Sequence, residues 1–315
     1  MHSTVTVGER RPAAGLKPGL ISTLALAVML IITLGFAAPV TEAATTASAS
    51  ISKGRKNPDV KSKSVLVIDP ADSEIVFERQ ADLVAPIASI TKLMTSLVVL
   101  DAKLPLDEII EVTKDDRSKN GKGAFSRITY GTKLSRGDLM RLALMSSENR
   151  AAHALGRNYP GGEAAFVRAM NAKAKALGMS RTRFVDSSGL SSDNVSTPRD
   201  LAKLVIAAGR NPIVREYSTS TSHTVKVGRQ KLEFHNTNSL VRNSGWDIVV
   251  QKTGYISEAG ECLVMQAVID DRPVIMVLLN SFGKYTRVAD ARRIRQWMEA
   301  RGTRRLASNG GRVNR

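Results

Sequence analysis

Lys92 sits in a run of sequence that gives it no obvious partner. Residues 89–100 read Ser-Ile-Thr-Lys-Leu-Met-Thr-Ser-Leu-Val-Val-Leu, which predicts a helix apolar on most of its faces. A lysine there either snorkels to solvent or is buried, and a buried, unpaired ammonium is strongly destabilising. Ser89 lies three residues earlier and shares the lysine's face. If Lys92 is buried, the rest of the chain must bring groups to it.

The pattern on either side of this helix divides the chain. Residues 64–69 and 74–78, Ser-Val-Leu-Val-Ile-Asp and Glu-Ile-Val-Phe-Glu, flank Pro70-Ala71-Asp72-Ser73 and read as a β-hairpin. Residues 86–210 read as mostly helical. Ser135 and Asp138 form a capping box, the Glu163–Leu177 helix stops at Gly178, and Thr197-Pro198 opens a helix that Gly209 closes. From about residue 223 the pattern turns to β, with strands expected at 248–253, 262–269 and 273–280 and a helix at 285–300. Two strands, inserted helices, three strands and a helix define an α+β fold whose antiparallel sheet is split across the chain.

The N-terminus reads as an export segment over residues 1–44. Arg10, Arg11 and Lys17 precede an apolar run from Leu24 to about Val40, followed by the small residues of Thr41-Glu42-Ala43-Ala44. An uncleaved membrane anchor is the alternative; either puts the body outside the cytoplasm, in the periplasm. Residues 45–61 read as a flexible linker. Cys262 is the only cysteine, so no internal disulfide can form, and its apolar strand context predicts an inert buried thiol. The four histidines have no metal-ligand spacing, and no metal is expected.

The net charge of +17 raises the question of nucleic acid. About half of that excess lies in residues 284–315, where ten Lys/Arg face only Asp290 and Glu299. With aromatics at 4%, base-stacking recognition is disfavoured. An anionic cell-wall or membrane surface fits the charge better, and no nucleic acid is expected as a partner.

A serine hydroxyl needs a base before it attacks, and no histidine is placed for that role. A lysine serves if burial or a neighbouring cation keeps it neutral, and a helix N-terminus offers N–H groups to a developing oxyanion. Ser-x-x-Lys alone carries little information, since it also occurs at Ser50–Lys53 and Ser281–Lys284. Serine–lysine enzymes of this type need a Ser-x-Asn and a Lys-Thr-Gly as well. Lys252-Thr253-Gly254 occurs once, at the end of an apolar strand. Ser-x-Asn occurs at Ser118–Asn120, Ser147–Asn149 and Ser192–Asn194. Ser147 and Asn149 break an apolar helical pattern with a polar turn and are the preferred pair, with Asn194 the alternative.

Several stretches resemble the D-alanyl-D-alanine carboxypeptidase and endopeptidase family of serine peptidases, the small penicillin-binding proteins. They are Pro-Ile-Ala-Ser-Ile-Thr-Lys-Leu-Met-Thr, Leu-Met-Ser-Ser-Glu-Asn-Arg-Ala-Ala, Lys-Thr-Gly-Tyr, Ala-Met-Asn-Ala-Lys-Ala-Lys-Ala-Leu-Gly-Met and Phe-Gly-Lys-Tyr-Thr, spread over residues 62–300. The Ser-Ser-Glu-Asn version resembles the endopeptidase branch. The resemblance implies the penicillin-binding-protein/β-lactamase-like transpeptidase fold, a five-stranded antiparallel sheet flanked by helices with an inserted helical subdomain. It makes residues 62–300 the catalytic domain; residues 301–315 match nothing in the family and read as a basic disordered tail.

Carried over by residue, the resemblance makes Ser89 the acylated nucleophile and Lys92 its general base. Ser147 relays protons and Asn149 holds the substrate backbone. Lys252, Thr253 and Gly254 bind substrate, the first two through a carboxylate. The backbone N–H groups of Ser89 and Tyr255 form the oxyanion hole. A cationic Lys252 adds to desolvation in keeping Lys92 neutral. Peptidoglycan peptides and β-lactams are the implied partners, with no cofactor. The rival functions are a D-alanyl-D-alanine carboxypeptidase, a β-lactamase and a noncatalytic wall-binding protein. Only 61 residues follow Gly254, so the second β domain and amphipathic C-terminal helix of many carboxypeptidases are expected to be absent.

Overall fold

The computed structural model describes residues 57–117 and 126–310, with side chains as far as Arg301. The expected export segment, most of the linker, the Ser118–Asn120 pattern and residues 311–315 lie outside the described residues. Among those described, no helix is long and apolar enough to cross a membrane.

Ser64–Ile68 (β1) and Ile75–Arg79 (β2) form the expected hairpin. Ala85–Pro86 (β3), Ile109–Glu111 (β4), Lys133–Ser135 (β5) and Val195–Ser196 (β6) make two small ladders, β3 with β6 and β4 with β5. Between them run the helices Thr91–Asp101 (α1), Arg136–Met145 (α2), Asn149–Arg157 (α3) and Gly162–Ala176 (α4), followed by Pro198–Arg210 (α5) and Pro212–Thr219 (α6). Ser222–Val227 (β7) and Gln230–His235 (β8) form a separate hairpin. The chain then completes the main sheet with Asp247–Ile256 (β9), Gly260–Ile269 (β10) and Arg272–Ser281 (β11), and closes with helix Thr286–Gly310 (α7).

The main sheet has five strands in the order β2-β1-β11-β10-β9, all antiparallel. Its central strands read as continuous apolar runs because both of their faces are covered. Alternate residues go to opposite sides: Leu66, Val264, Ile275 and Val277 face the helical body, and Val65, Val67, Leu263, Met276 and Leu278 face α7 through Ala291 and Ile294. A one-residue slip would exchange these two sets, so the register is strongly specified. Asp270 and Asp271 join β10 to β11 with φ of 49° and 59°, the double left-handed turn that matches strand twist.

Ser135 Oγ and Thr197 Oγ1 cap their helices as expected, accepting from Asp138 N at 3.0 Å and Asp200 N at 3.1 Å. Helix α6 and the β7–β8 hairpin were not resolved as elements by the sequence pattern. The α6 signal was there to be read: Asn211 caps it through Oδ1, with Pro212 in the first turn.

The ends of the folded region depart from expectation. Val60 is already buried inside the stretch read as linker. The buried Asp290 carboxylate on α7 anchors this stretch, accepting from Lys61 N at 2.9 Å and Ser62 N at 2.6 Å. Helix α7 continues to Gly310, past the expected start of the tail at 301. That stretch contains Gly302 but no proline, so the helix meets only a weak breaker.

Candidate active site

Helix α1 runs through the middle of the helical body, and Thr91 through Val99 are all buried. This is why its sequence is apolar on nearly every face. Lys92 is fully buried within it and makes three contacts. Its Nζ lies 2.8 Å from Ser89 Oγ, 2.8 Å from Asn149 Oδ1 and 2.6 Å from the Ser188 carbonyl. Burial pushes the ammonium down to about 7, against the opposing pull of the Asp186 and Glu148 charges. A neutral amine has two hydrogens and one lone pair. Asn149 Oδ1 and the Ser188 carbonyl can only accept, so the lone pair is left for the Ser89 hydroxyl.

Ser89 belongs to a 3₁₀ turn, Ala88–Ile90, immediately before α1. Ala88 is held at φ 48°, a left-handed conformation that strains a non-glycine residue. The turn is pinned from three directions. Ile87 N donates to the Asn194 carbonyl at 3.0 Å, and Thr91 Oγ1 donates to the Ala88 carbonyl at 2.8 Å. Gly189 packs so close that a Cβ on it would lie 1.9 Å from the Ala88 oxygen. Gly254 on β9 approaches from the sheet side, where a Cβ would stand 3.2 Å from Ser89 N. Serine and strand backbone therefore meet without a side chain between them, and the next residue along is Tyr255.

Ser147 occupies the polar turn between α2 and α3, with φ 61°. It is half-buried and makes no hydrogen bond to Ser89 or Lys92. Asn149, at the start of α3, reaches Lys92 directly. The carboxylate of Glu148, between them, turns away and accepts from Ser126 Oγ at 2.7 and 2.9 Å and from Arg127 N at 3.2 Å. The alternative asparagine, Asn194, has a different job. Its side chain is spent within the 186–194 loop, accepting from Val185 N and donating to Asp186 Oδ2, each at 2.9 Å.

Lys252 is fully buried on β9, with Nζ donating to the Thr253 carbonyl at 2.8 Å. Burial, then the Lys92 charge, then the Arg287 charge push it well below the ordinary lysine range. The two lysine charges therefore oppose one another, as expected of neighbouring cations. Burial is the first cause for both lysines, and Lys252 is itself driven towards the neutral form because a single carbonyl is poor compensation for lost water. Thr253 Oγ1 pairs with Thr237 Oγ1 at 2.6 Å, and Thr237 N donates to the Met145 carbonyl at 2.9 Å, which ties β9 to the end of α2. Cys262, opposite Gly254 in the sheet, is buried, and burial pushes its thiol up to about 11. It is chemically quiet.

Four residues of the surroundings escaped the sequence reading. Ser188 acts through its carbonyl, which every residue has, so no side-chain signal exists. Asp186 organises the loop that presents this carbonyl, accepting from the N–H groups of Ser188, Gly189 and Ser191 at 2.7, 2.6 and 2.9 Å. Those bonds hold its carboxyl below the usual range even though burial opposes them. Arg287, at the start of α7, donates from Nη1 to the Gly254 carbonyl at 2.7 Å and pairs with Glu261. Arg287 and Thr237 lie far from the motifs in sequence, and only folding brings them in.

A serine–lysine pair between an antiparallel sheet and a helical body, faced by a Lys-Thr-Gly strand, defines a serine peptidase with the penicillin-binding fold. The comparisons agree: the profile of the D-alanyl-D-alanine carboxypeptidase family matches residues 51–283, and the chain belongs to that family. It is 51% identical over 243 residues to a D-alanyl-D-alanine endopeptidase of Pseudomonas aeruginosa, covering 76% of this chain and 78% of the relative. It is 47% identical over 282 residues to the D-alanyl-D-alanine endopeptidase of Escherichia coli, covering 89% and 88%. Among solved structures, ampicillin-bound penicillin-binding protein D2 from Listeria monocytogenes superposes with a TM-score of 0.65 at 31% identity, covering 78% of this chain and 99% of that one.

Proposed function

We propose that this chain is an exported serine D-alanyl-D-alanine endopeptidase that hydrolyses the peptide cross-links of peptidoglycan through an acyl-enzyme. The observation that carries this reading is the set of three contacts around Lys92 Nζ, with a lone pair left for Ser89 and an ammonium pushed down to about 7. The two endopeptidase relatives support the choice of bond cleaved.

In this mechanism neutral Lys92 takes the Ser89 proton as Oγ attacks the D-alanyl carbonyl carbon. The carbonyl oxygen becomes an oxyanion held by the N–H groups of Ser89 and Tyr255. The C–N bond then breaks, and the departing amine takes the proton from Lys92 through Ser147. Water attacks the resulting ester, with Lys92 again as base, and Ser89 regains its proton as the acid product leaves. Asn149 holds the peptide backbone of the substrate. Lys252 and Thr253 hold the carboxylate on the leaving residue, and that anion restores the charge on Lys252 which burial otherwise opposes. The hydrogen bonds of Glu148 to Ser126 and Arg127 leave it poorly aimed for deacylating water, which speaks against a β-lactamase.

Residues 1–44 serve as the export segment in this reading, and 62–300 as the catalytic domain in the periplasm. The basic C-terminal tail adds attraction to anionic wall surfaces; deletion of 302–315 should weaken sedimentation with sacculi at low salt, and unchanged sedimentation would remove that role. The central test is intact-protein mass spectrometry with benzylpenicillin. One lasting adduct that Ser89→Ala lacks supports the acyl-enzyme, whereas an adduct retained in the variant moves the nucleophile elsewhere. Digestion of cross-linked muropeptides against pentapeptides then separates endopeptidase from carboxypeptidase.

A further inference from the structure

Glu148 stands between Ser147 and Asn149 and has no part in the mechanism given above. It occupies the N-cap position of α3, where serine, threonine, aspartate and asparagine are favoured, yet its side chain makes no capping hydrogen bond. The residue is only 8% exposed. A buried carboxylate is costly unless its oxygens are satisfied. Neither helix capping nor the chemistry of its neighbours accounts for a glutamate at this position.

A segment from elsewhere in the chain satisfies it. Ser126 Oγ lies 2.7 and 2.9 Å from the two carboxylate oxygens, and Arg127 N donates to Oε1 at 3.2 Å. This segment is itself fixed, with Ile128 N donating to Ser126 Oγ at 3.1 Å and Arg150 Nη1 on α3 donating to the Ile128 carbonyl at 2.6 Å. The Arg127 side chain crosses to β8. Its Nη1 donates to the Glu233 carbonyl at 2.7 Å, and its guanidinium carbon stands 4.6 Å from the centre of the buried Phe234 ring. Just past β8, Thr237 joins Thr253 and the Met145 carbonyl. One carboxylate thus ties the turn of Ser147 and Asn149 to the hairpin that leads into the Lys-Thr-Gly strand.

The turn needs such a hold. Ser147 has φ 61°, a strained conformation for a residue other than glycine. Backbone bonds secure its flank, with Glu148 N donating to the Leu142 carbonyl at 3.1 Å and Ala152 N to the Glu148 carbonyl at 3.3 Å. Beyond it, Asn149 must keep Oδ1 at 2.8 Å from Lys92 Nζ.

We propose that Glu148 is a positioning residue for the serine–lysine chemistry: its carboxylate oxygens, held by Ser126 and Arg127, fix Ser147 and Asn149 where acylation requires them. This rests on the acyl-enzyme reading above and adds a residue to it. A shift of the turn would move the Ser147 relay and one of the three contacts of Lys92 together. A direct chemical role fits less well, because Glu148 makes no hydrogen bond to Ser89 or Lys92 and both of its oxygens face Ser126.

Substitution separates the acceptor oxygens from the charge, which also acts on Lys92. In Glu148→Gln the amide oxygen in the place of Oε1 still accepts from Ser126 and Arg127, while the amide nitrogen donates to Ser126 Oγ. In Glu148→Ala both donors lose their acceptor.

The test follows acylation by benzylpenicillin at a pH well above 7, where Lys92 is neutral in every variant, with urea unfolding of each protein alongside. Glu148→Ala should lower the saturating rate about 10²-fold, the scale of a small misplacement of reacting groups. The half-saturating penicillin concentration should change by less than about threefold, and Glu148→Gln should recover the saturating rate to within about threefold of wild type. Ser126→Ala should lose about 10-fold, the scale of one hydrogen bond to a charged group. The double variant Glu148→Ala/Ser126→Ala should be no slower than Glu148→Ala, since the two side chains act as one unit. A wild-type rate in folded Glu148→Ala overturns the proposal, as does a glutamine variant as slow as the alanine one, or losses that multiply in the double variant. If Glu148→Ala does not fold, Ser126→Ala decides, and a wild-type rate there overturns the proposal. If wild type itself is not acylated at Ser89, the acyl-enzyme reading falls and the positioning role with it. Equal rates in a reactive wild type and its variants remove the positioning role alone.

Discussion

Lys92 Nζ and Ser89 Oγ are 2.8 Å apart inside the protein, with the other two contacts of the amine taken by groups that can only accept. Donor and acceptor numbers balance when the amine is neutral and the serine points its proton at it. Protonation of Lys92 leaves the geometry possible but removes the base. Activity should therefore follow the protonation state of this one residue.

Lys92→Arg tests that dependence most directly. A guanidinium keeps its proton at any workable pH and cannot act as base. Acylation by benzylpenicillin should slow by about 10³-fold, within the range general-base catalysis contributes. A rate within tenfold of wild type, followed by mass spectrometry, would remove Lys92 from the role.

The pH dependence carries a sign that can be checked twice. Acylation should rise with pH through about 7, where burial has placed Lys92. Stability should rise as well. The unfolded chain keeps the lysine proton up to about the ordinary value of 10.5, whereas the folded chain gives it up near 7. Between those values the unfolded state binds more protons, so stability increases with pH across this window. Lys252, also lowered, adds to the same slope. Urea midpoints should climb from pH 7 to 10, less steeply in Lys92→Met; a parallel pair of curves would contradict the assignment.

Gly189→Ala should damage fold and site together. The residue has φ +83°, and a Cβ would lie 1.9 Å from the Ala88 oxygen and 2.8 Å from Thr91 Oγ1. Backbone must move, and the backbone concerned carries Ser89. A loss of at least about 2 kcal/mol in urea unfolding is expected, with acylation about 10²-fold slower, the scale of a small misplacement of reacting groups. Wild-type values for both would show that the loop is not packed against the Ser89 turn as described.

Asp186→Asn separates positioning from simple stability. The amide accepts through one oxygen where the carboxylate uses two, so part of the 186–194 loop loses its partners, at about 1–3 kcal/mol. The Asp186 charge also raises the Lys92 value. Its removal should shift the acid limb of the acylation profile to lower pH, a change that a purely structural role would not produce. An unmoved limb with reduced stability would confine Asp186 to holding the loop.

Much of this site was legible in the chain because its chemistry is carried by unusual residues in plain contexts. A lysine in an all-buried helix, a polar turn between two apolar helices and a glycine after a strand lysine each violate the local pattern, and such violations are where function shows. The same logic favours Asn149 over Asn194, and in the structure Asn149 Oδ1 contacts Lys92 Nζ while the Asn194 side chain bonds within its own loop. The pattern gave no account of Thr237 or Arg287, because a threonine or arginine in a surface-like stretch violates nothing.

The sequence by itself determined the element types, the split sheet and the residues that could do the chemistry, since periodicity, caps and turn residues act over a few positions. Only the tertiary structure decided how Lys92 is poised. Its partners come from residues 89, 149 and 188, the last through a backbone oxygen, and its proton affinity is set first by burial rather than by the charge of Lys252. Desolvation depends on everything packed around a group, and that packing exists only once strands distant in sequence have closed on the helices between them.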